Sequence, residues 1–566
     1  MKQDNLLPIQ DYVSRPESIR NKLSKKCFDD GIDTFFNHKV PFSYSTGKSL
    51  AYKFYKQIEA YIKKTNKNTI TLLELGAGTG QLSCNIMSIF QSYNKDTKIT
   101  LNCIITDSNT ELIKQLKTTY KNNPHITILC FNPVTDSYDR LPEFDIVIMS
   151  YLLDCFDTYH LEYKNNILKE KKIKSFISYN DYLITSKNKQ LSYLDKQNLV
   201  NYINSISTND SALKLGHCIN EKQKSFKLKS THPIFKSKIA TRILEAEKQY
   251  GDHRFNLSLD VIESMATLFS HLNNTQMALI FDFGMPSSLI KSKVPFKYKA
   301  TYTLCNFYSI SFSQLYFLAS QYNLNYLETQ FKAGESQCIL LHKFDSSDTL
   351  KQSFISSFSV PGNKKVSTCL SNIKRYISRH KNNSSVANYI SKSVSKLCKY
   401  ESQDYQFNIA LCEIFIDQNL YSHAHKHLDL LISKHKFFAR SAYFLKAKLF
   451  HLEKSPQKAL SLIEQLDTNT LKHTGLLYQY CLALCKCEQY NKFEDVFIKF
   501  IQQTDYFIPW RFFIILHAIY SSQNQLLKIK QLTSFLQTLT QKPNIAINND
   551  LKKLFTSIST NKNVSH

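Results

Sequence analysis

Three of the eleven glycines in this 566-residue chain fall within five positions, Gly76-Ala77-Gly78-Thr79-Gly80, directly after the apolar run Leu72-Leu73-Glu74-Leu75. Glycines there let a strand turn sharply into a helix and leave main-chain amides bare, and those amides with the helix N-terminus favour a negative or strongly polar ligand. The next apolar run ends at Ile105-Thr106-Asp107. A carboxylate at that strand end accepts hydrogen bonds from both hydroxyls of a ribose. A third run ends at Cys130-Phe131-Asn132, and a fourth, Phe144–Met149, leaves through Ser150-Tyr151-Leu152 toward Asp154 and Asp157. The types and order fit a nucleoside-bearing ligand. The alternative is a sheet that keeps its glycines for turn geometry alone.

Elements that hold such residues follow from periodicity. Leu50, Phe54, Ile58 and Ile62 recur at four-residue intervals, which predicts an amphipathic helix over Ser49–Ile62. Apolar runs then alternate with helical stretches: strands at Ile70–Leu75, Ile99–Thr106, Ile126–Phe131 and Phe144–Met149, helices at Gln81–Phe90 and Thr110–Tyr120. This alternation implies a parallel sheet covered by helices. Residues 155–255 are Lys-rich and are expected to be an insertion, with a short strand at Ile173–Tyr179 and a helix at Lys196–Ile206. Regular order resumes with a helix at Ser258–Leu272 and the buried strand Met277–Phe283. A terminal hairpin of Tyr326–Phe331 and Gln337–Leu341 follows, joined through Ala333, Gly334 and Glu335.

With Glu74 two residues before the first glycine and the spacing G-x-G-x-G, the turn resembles motif I of class I S-adenosylmethionine (SAM) methyltransferases more than a nicotinamide-binding fold. Residues 40–345 further resemble a divergent MidA-type methyltransferase. Four stretches carry that likeness: Tyr44-Ser45-Thr46-Gly47-Lys48-Ser49, Leu152-Leu153-Asp154, Phe255-Asn256-Leu257-Ser258 and Asp282-Phe283-Gly284. The resemblance implies an α/β, seven-stranded Rossmann-like domain with SAM as cofactor. It places Glu74, Gly76, Gly78, Gly80, Asp107, Asn132 and Ser150 on the cofactor, with Asn132 meeting the adenine, and Gly47, Lys48 and Tyr151 on the substrate.

The family includes an enzyme that methylates a protein arginine, so a protein acceptor is implied. Departures bear on that acceptor. The Gly-Pro-Gly-Arg-Gly of the family is replaced by the generic turn, and its Asn-Glu pair by Ser150-Tyr151. A guanidinium needs carboxylates to orient it, which leaves Asp154 and Asp157 as the catalytic candidates; the other role open to Asp154 is capping a following helix. A nucleic-acid acceptor is not expected, because amino-methylating nucleic-acid enzymes carry Asn/Asp-Pro-Pro-aromatic where this chain has Ser150-Tyr151-Leu152. A further alternative is a catalytically inactive methyltransferase-like scaffold that binds protein partners.

Beyond residue 345 the texture changes. Residues 346–400 are rich in Ser, Lys and Asn and are expected to be a linker with one helix. From 401 to 545 the pattern is helical and weakly repeated: Ala424 and Ala459 lie 35 residues apart, each twelve after Cys412 or Ala447, with Phe415 matching Phe450 and Leu428 matching Ile463. Cys481, Phe493 and Phe497 suggest a third copy. This resembles tetratricopeptide helix-turn-helix repeats, an all-α domain that would recruit a protein partner. Residues 1–45 are an expected N-terminal extension and 546–566 a tail.

Composition adds mainly exclusions. The formal charge is +26, but only nine of the 72 basic residues are arginine, so a Lys-biased composition accounts for the excess, and the basic residues between Lys164 and Lys174 are expected to be a solvated face. Fourteen cysteines without a C-x-x-C pair suggest no metal and no disulfide framework, and so a reducing compartment. Neither a signal-peptide pattern nor an apolar run of about 18 residues is present, so no membrane association and a cytoplasmic location are expected. The family resemblance adds the mitochondrial matrix as the alternative.

Overall fold

The computed structural model describes residues 6–28, 46–178, 219–289, 299–302, 304–331, 335–344, 348–359, 364–380, 383–397, 399–400, 402–435, 439–466, 471, 474–503, 510–522, 525 and 529. The helix expected at Lys196–Ile206, the hairpin residues Ala333 and Gly334 and the tail 546–566 lie outside them. The described residues up to 407 fall in one compact unit and those from 408 onward in a second.

In the first unit, β1 (Leu6–Val13) and α1 (Ile19–Cys27) precede α2 (Lys48–Thr65), which delivers the chain to β2 (Thr69–Leu75). Then come α3 (Gln81–Tyr93), β3 (Thr100–Asp107), α4 (Thr110–Tyr120), β4 (Ile126–Cys130) and β5 (Ile146–Ser150). The chain next builds β6 (Tyr159–Lys164), β7 (Ile167–Ser178), β8 (Ile219–Lys227), α5 (Lys238–Lys248) and β9 (His253–Leu257). It returns through α6 (Leu259–His271) to β10 (Met277–Met285), adds the small hairpin β11 (Lys299–Tyr302) and β12 (Cys305–Tyr308), and passes β13 (Ile310–Ser311) and α7 (Phe312–Gln321). It ends with β14 (Asn325–Glu328) and β15 (Ser336–His342).

The main sheet runs β14-β15-β10-β5-β2-β3-β4, with β13 beside β10. The pairs β10·β5, β5·β2, β2·β3 and β3·β4 are parallel, and β15 runs against both its neighbours. Central strands need to be apolar on both faces, and β10, MALIFDFGM, is buried at all nine positions. The chain moves from β2 outward to β4 and then crosses to β5 on the other side of β2. That reversal opens a crevice at the carboxyl ends of β2 and β5, where ligands of open α/β sheets bind. Helix α2 buries Leu50, Phe54 and Ile58 as its period requires, with Ile62 at the half-buried margin.

Residues 155–255 are more organised than their composition suggests. Strands β6 to β9 form a second, antiparallel sheet that β1 joins in the order β1-β7-β6-β9, with β8 on the other edge of β7. The N-terminal residues therefore contribute a strand to the region expected as an insertion. Alternation along β7 is hidden in the sequence, because lysines occupy positions on both faces and only Ile173, Ser175 and Ile177 mark the inner one. The expected linker differs too: among its described residues it holds three helices, α8 (Asp348–Ser357), α9 (Lys364–Arg379) and α10 (Asn383–Val394). The first of them docks on α2, where Phe358 meets Phe54 with ring centroids 5.9 Å apart and the Ser353 hydroxyl donates to the Lys56 carbonyl.

In the second unit three helical hairpins succeed one another: α11 (Tyr405–Asp417) with α12 (Tyr421–His435), α13 (Arg440–Leu452) with α14 (Pro456–Glu464), and α15 (Thr474–Lys486) with α16 (Tyr490–Gln503); α17 (Trp510–Ser522) follows. First helices begin 35 and 34 residues apart. The inter-helix turn repeats as well, with Asn419, Lys454 and Glu488 all left-handed. Cys412, Ala424, Ala447, Ala459 and Cys481 are fully buried, the small side chains that permit close helix approach. Ala459→Leu is expected to overpack this contact and cost about 1–3 kcal/mol. The check is the denaturant midpoint of the helical unit, and an unchanged midpoint would show that the alanine is not needed for packing.

Candidate functional site

The glycine turn sits at the carboxyl end of β2, in the crevice. Gly76, Gly78 and Gly80 have φ of 63°, 53° and 67°, a left-handed region that L side chains avoid. Gly80 is the N-cap of α3, and Gly76 packs so closely on the exit of β5 that a Cβ there would lie 2.4 Å from Leu152 Cδ1. The Ala77 amide donates to the Thr106 carbonyl at 2.8 Å and the Gly78 amide to Asp107 Oδ2 at 3.0 Å. The ends of β2 and β3 are thus tied into one surface.

Asp107 takes a second hydrogen bond at Oδ1, from the Asn109 amide at 3.0 Å, and its side chain is part-buried. Burial pushes its pKa up, while the amides of Asn109 and Gly78 oppose that rise. Each oxygen keeps a lone pair, so the donor set of a ribose suits this carboxylate. The residues at this turn fit a nucleoside cofactor: bare left-handed backbone, a helix N-terminus and an acceptor carboxylate. Asn132 opens the turn after β4, its amide bound by Asp136 Oδ2 and its Oδ1 accepting from the Val134 amide.

Glu74 lies beneath the turn. It is 2% exposed, and its Oε2 accepts from the Ser83 amide in the first turn of α3 at 3.2 Å, so it holds the helix entry while Gly78 and Asp107 form the upper surface. Burial raises its pKa from 4.5 to about 7. The folded state therefore keeps a proton that the unfolded chain loses above about 4.5, and this contribution to stability fades as pH climbs from about 4.5 to 7. The size is on the order of 3 kcal/mol by the conversion of one pKa unit to 1.36 kcal/mol. Glu74→Gln is expected to flatten that part of the stability-versus-pH curve. Parallel melting-temperature curves for the two proteins from pH 5 to 7.5 would refute it.

The exit of β5 forms the other wall. Ser150 ends the strand, Tyr151 has a left-handed φ of 55°, and the Tyr151 amide donates to the Phe281 carbonyl at 2.9 Å. The Tyr151 hydroxyl bonds Ser336, and its ring meets Phe281 edge-on at 5.6 Å. Asp282, in the carboxyl-terminal half of β10, has a role that the Asp282-Phe283-Gly284 motif alone does not disclose. It accepts from the Leu153 amide at 2.9 Å and from its neighbour Phe283 at 2.8 Å, clamping the exit loop to β10.

Asp154 and Asp157 diverge. Asp154 is wholly buried in the short turn Leu153–Cys155; the chain then enters β6, so it caps no helix. Its Oδ1 receives the Cys155 thiol at 3.5 Å and its Oδ2 has no hydrogen-bond partner. Burial, and then the charge of Asp282, drives its pKa well up. Asp157 is held elsewhere: Asn21 of α1 donates to it at 2.8 Å and Lys25 forms an ion pair with it. Gly47 is the N-cap of α2, Lys48 Nζ lies 3.4 Å from Gln403 Oε1, and the neighbouring Thr46 carbonyl accepts from Asn85 of α3 at 2.7 Å. The structure thus brings Glu74, the three glycines and Asp107 into one constellation, sets Ser150 and Tyr151 on the adjoining β5 exit, and engages Asp157 with α1. Among the described residues no cluster of three His, Cys, Asp or Glu could hold a metal, and no helix is long and apolar enough to cross a membrane.

Comparison with known proteins bears on the same region. Residues 50–319 match the family model described as "Putative S-adenosyl-L-methionine-dependent methyltransferase". Among solved structures, a Burkholderia thailandensis protein bound to S-adenosyl-homocysteine is similar at 14% identity over 62% of this chain and 74% of its own, with a TM-score of 0.33. A native crystal structure from the same organism is similar at 12% identity over 59% of this chain and 96% of its own, TM-score 0.35. Human N-acetylserotonin methyltransferase in complex with SAM shares 10% identity over 49% and 48% of the two chains, TM-score 0.24. A search of curated proteins finds no match.

Proposed function

We propose that this chain, a SAM-dependent methyltransferase whose class I domain holds the glycine turn, methylates a protein side chain presented by a partner that the C-terminal helical hairpins recruit. The observation that carries the reading is the exit of β5. Ser150-Tyr151-Leu152 supplies no Asn/Asp-Pro-Pro-aromatic platform for a nucleobase, and the array of hairpins is an architecture suited to protein partners. SAM supplies the electrophilic methyl group when bound. The protein's own part is positional: Gly78 and Asp107 hold the nucleoside end, the turn of α3 excludes water, and the clamped β5 exit faces the acceptor.

An arginine acceptor is the narrower form of this proposal. It needs a carboxylate to orient the guanidinium. Asp154 is wholly buried, and burial disfavours its charged form, so Asp157 would have to exchange Lys25 for the substrate. A neutral amine makes no such demand.

The test is transfer of a radioactive methyl group from SAM to a cell extract by the wild-type protein, with Gly78→Arg as the blank. Label in protease-sensitive, nuclease-resistant material supports the proposal. Label in nuclease-sensitive material overturns the protein acceptor. No label above the blank, with SAM binding intact, favours the inactive scaffold.

A further inference from the structure

The second sheet carries an arrangement that the methyl-transfer site does not use. In the register of β7 with β8, Lys172 lies directly opposite Lys224 and Lys174 directly opposite Lys222. Because side chains alternate, these four lysines share one face, together with Phe176 on β7 and Phe226 on β8. Like charges directly opposite on an antiparallel pair are destabilising, and here two such pairs follow one another. Among the described residues β8 is an edge strand, where lysines guard against edge pairing, which accounts for Lys222 and Lys224. It does not account for Lys172 and Lys174, since β7 is paired on both sides.

Aromatic rings are set among the charges. Tyr12 of β1 and Phe226 of β8 meet at 5.2 Å across β7. Lys174 Nζ stands 5.7 Å from the Tyr12 ring and 5.9 Å from that of Phe176, Lys222 is 5.1 Å from Phe176, and Lys224 is 5.7 Å from Phe226. Among the described residues the carboxylates near the four lysines are few: Asp11 at 3.2 Å from Lys174, and the buried Glu170 at 3.9 Å from Lys172. Lys222 and Lys224 are exposed.

We infer that this face of the second sheet binds single-stranded nucleic acid, with Lys172, Lys174, Lys222 and Lys224 on phosphates and Tyr12, Phe176 and Phe226 as stacking platforms. Same-face residues along a strand repeat at about 6.8 Å, a spacing that lets successive lysines meet successive phosphates of an extended strand. An acidic peptide would satisfy the charge but leave the rings without a planar partner, and an anionic membrane asks for no interleaving of rings with cations. A polyanion with a π-face at each repeat uses both. The inference stands independently of the protein acceptor proposed above: it concerns docking, and a nucleic acid bound here need not be methylated.

The experiment is fluorescence anisotropy of the full chain with a labelled 16-nucleotide RNA of mixed sequence across a salt series, with polyglutamate and phosphatidylserine vesicles as competitors. Wild type is expected to bind with an affinity that falls as salt rises. Lys222→Glu/Lys224→Glu is expected to weaken binding more than tenfold and to flatten the log–log salt slope by about 1.4, two phosphates at about 0.7 each. Phe226→Ala is expected to weaken binding about tenfold with little change in slope, as loss of one stacked base would. SAM affinity, measured on the same samples, should not move in either variant. No RNA binding at low salt, or binding that the double lysine variant leaves unchanged, would overturn the inference. Tighter binding of polyglutamate or of the vesicles than of RNA would overturn it in favour of that partner.

Discussion

Gly78→Arg is expected to reduce affinity for SAM and S-adenosyl-homocysteine by more than a hundredfold while the protein stays folded. Two costs separate here. Forcing an L side chain into the φ of 53° at this position costs roughly 1–2 kcal/mol, which a domain with a core of this extent tolerates. The larger cost is to the ligand, since the turn offers bare backbone and a helix N-terminus, and bulk at its centre denies approach to both. The neighbouring glycine behaves differently. A methyl group on Gly76 would meet Leu152 Cδ1 at 2.4 Å, so Gly76→Ala should push that side chain aside and, at a φ of 63°, strain the turn, lowering stability as well as affinity. Titration calorimetry of both ligands against wild type and Gly78→Arg, with a melting curve for each, is the measurement. Retained binding by Gly78→Arg would place the cofactor elsewhere and remove the site; loss of binding together with loss of the fold would show the glycine to be structural.

Legibility of this chain divides along physical lines. The main sheet was readable because parallel central strands must be apolar on both faces, so β2, β3, β5 and β10 stand out as runs, and the helices between them keep a clear period. Helix Thr110–Tyr120 falls where the period predicts, and the others differ at their ends by a few residues. The glycine turn announced itself by rarity. The second sheet did not, because β7 and β8 are half-solvated strands whose lysines mask the alternation, and because β1, the strand bordering β7, lies more than 150 residues away in sequence. The three helices of 348–394 lie under a composition rich in Ser, Lys and Asn: α10 is rich in Ser and Asn, although α9 places Val366, Leu370, Ile373 and Ile377 at helical spacing. Within the site, residue types indicated Glu74 and Asp107 but not their division of labour. Which carboxylate holds the helix and which faces the crevice depends on the strand's pleat and on the amides of Ser83 and Gly78, and those meet only in the fold. The clamp from Asp282 to Leu153 joins residues 129 apart and has no local signal beyond an acid at a strand end.

Asp107→Ala offers the second large effect, and its sign distinguishes a ligand-binding carboxylate from a structural one. In the folded protein the group's pKa is raised by burial despite backbone donors from Asn109, Gly78 and Ser108, so its ionised form is held at a cost in the absence of further donors. Ribose hydroxyls would supply them. Each hydrogen bond to a charged acceptor contributes about 1.5–3 kcal/mol, so removing both is expected to weaken SAM binding by about a hundredfold or more. Asp107→Asn keeps one carbonyl oxygen but loses the charge, and is expected to fall between wild type and alanine. For the unliganded protein the asparagine variant removes the desolvation cost of a carboxylate but turns an NH2 donor toward the Gly78 or the Asn109 amide, so it should melt somewhat lower than wild type. Affinity of the wild type should also decline as pH falls through the raised pKa, since protonation removes the acceptor that the hydroxyls require, and Asp107→Asn should lose that pH dependence. If Asp107→Asn lowers only the stability of the free protein while SAM affinity and its pH profile stay as in wild type, the carboxylate serves only to tie Gly78 to Asn109, and the ribose contact assigned to it is wrong.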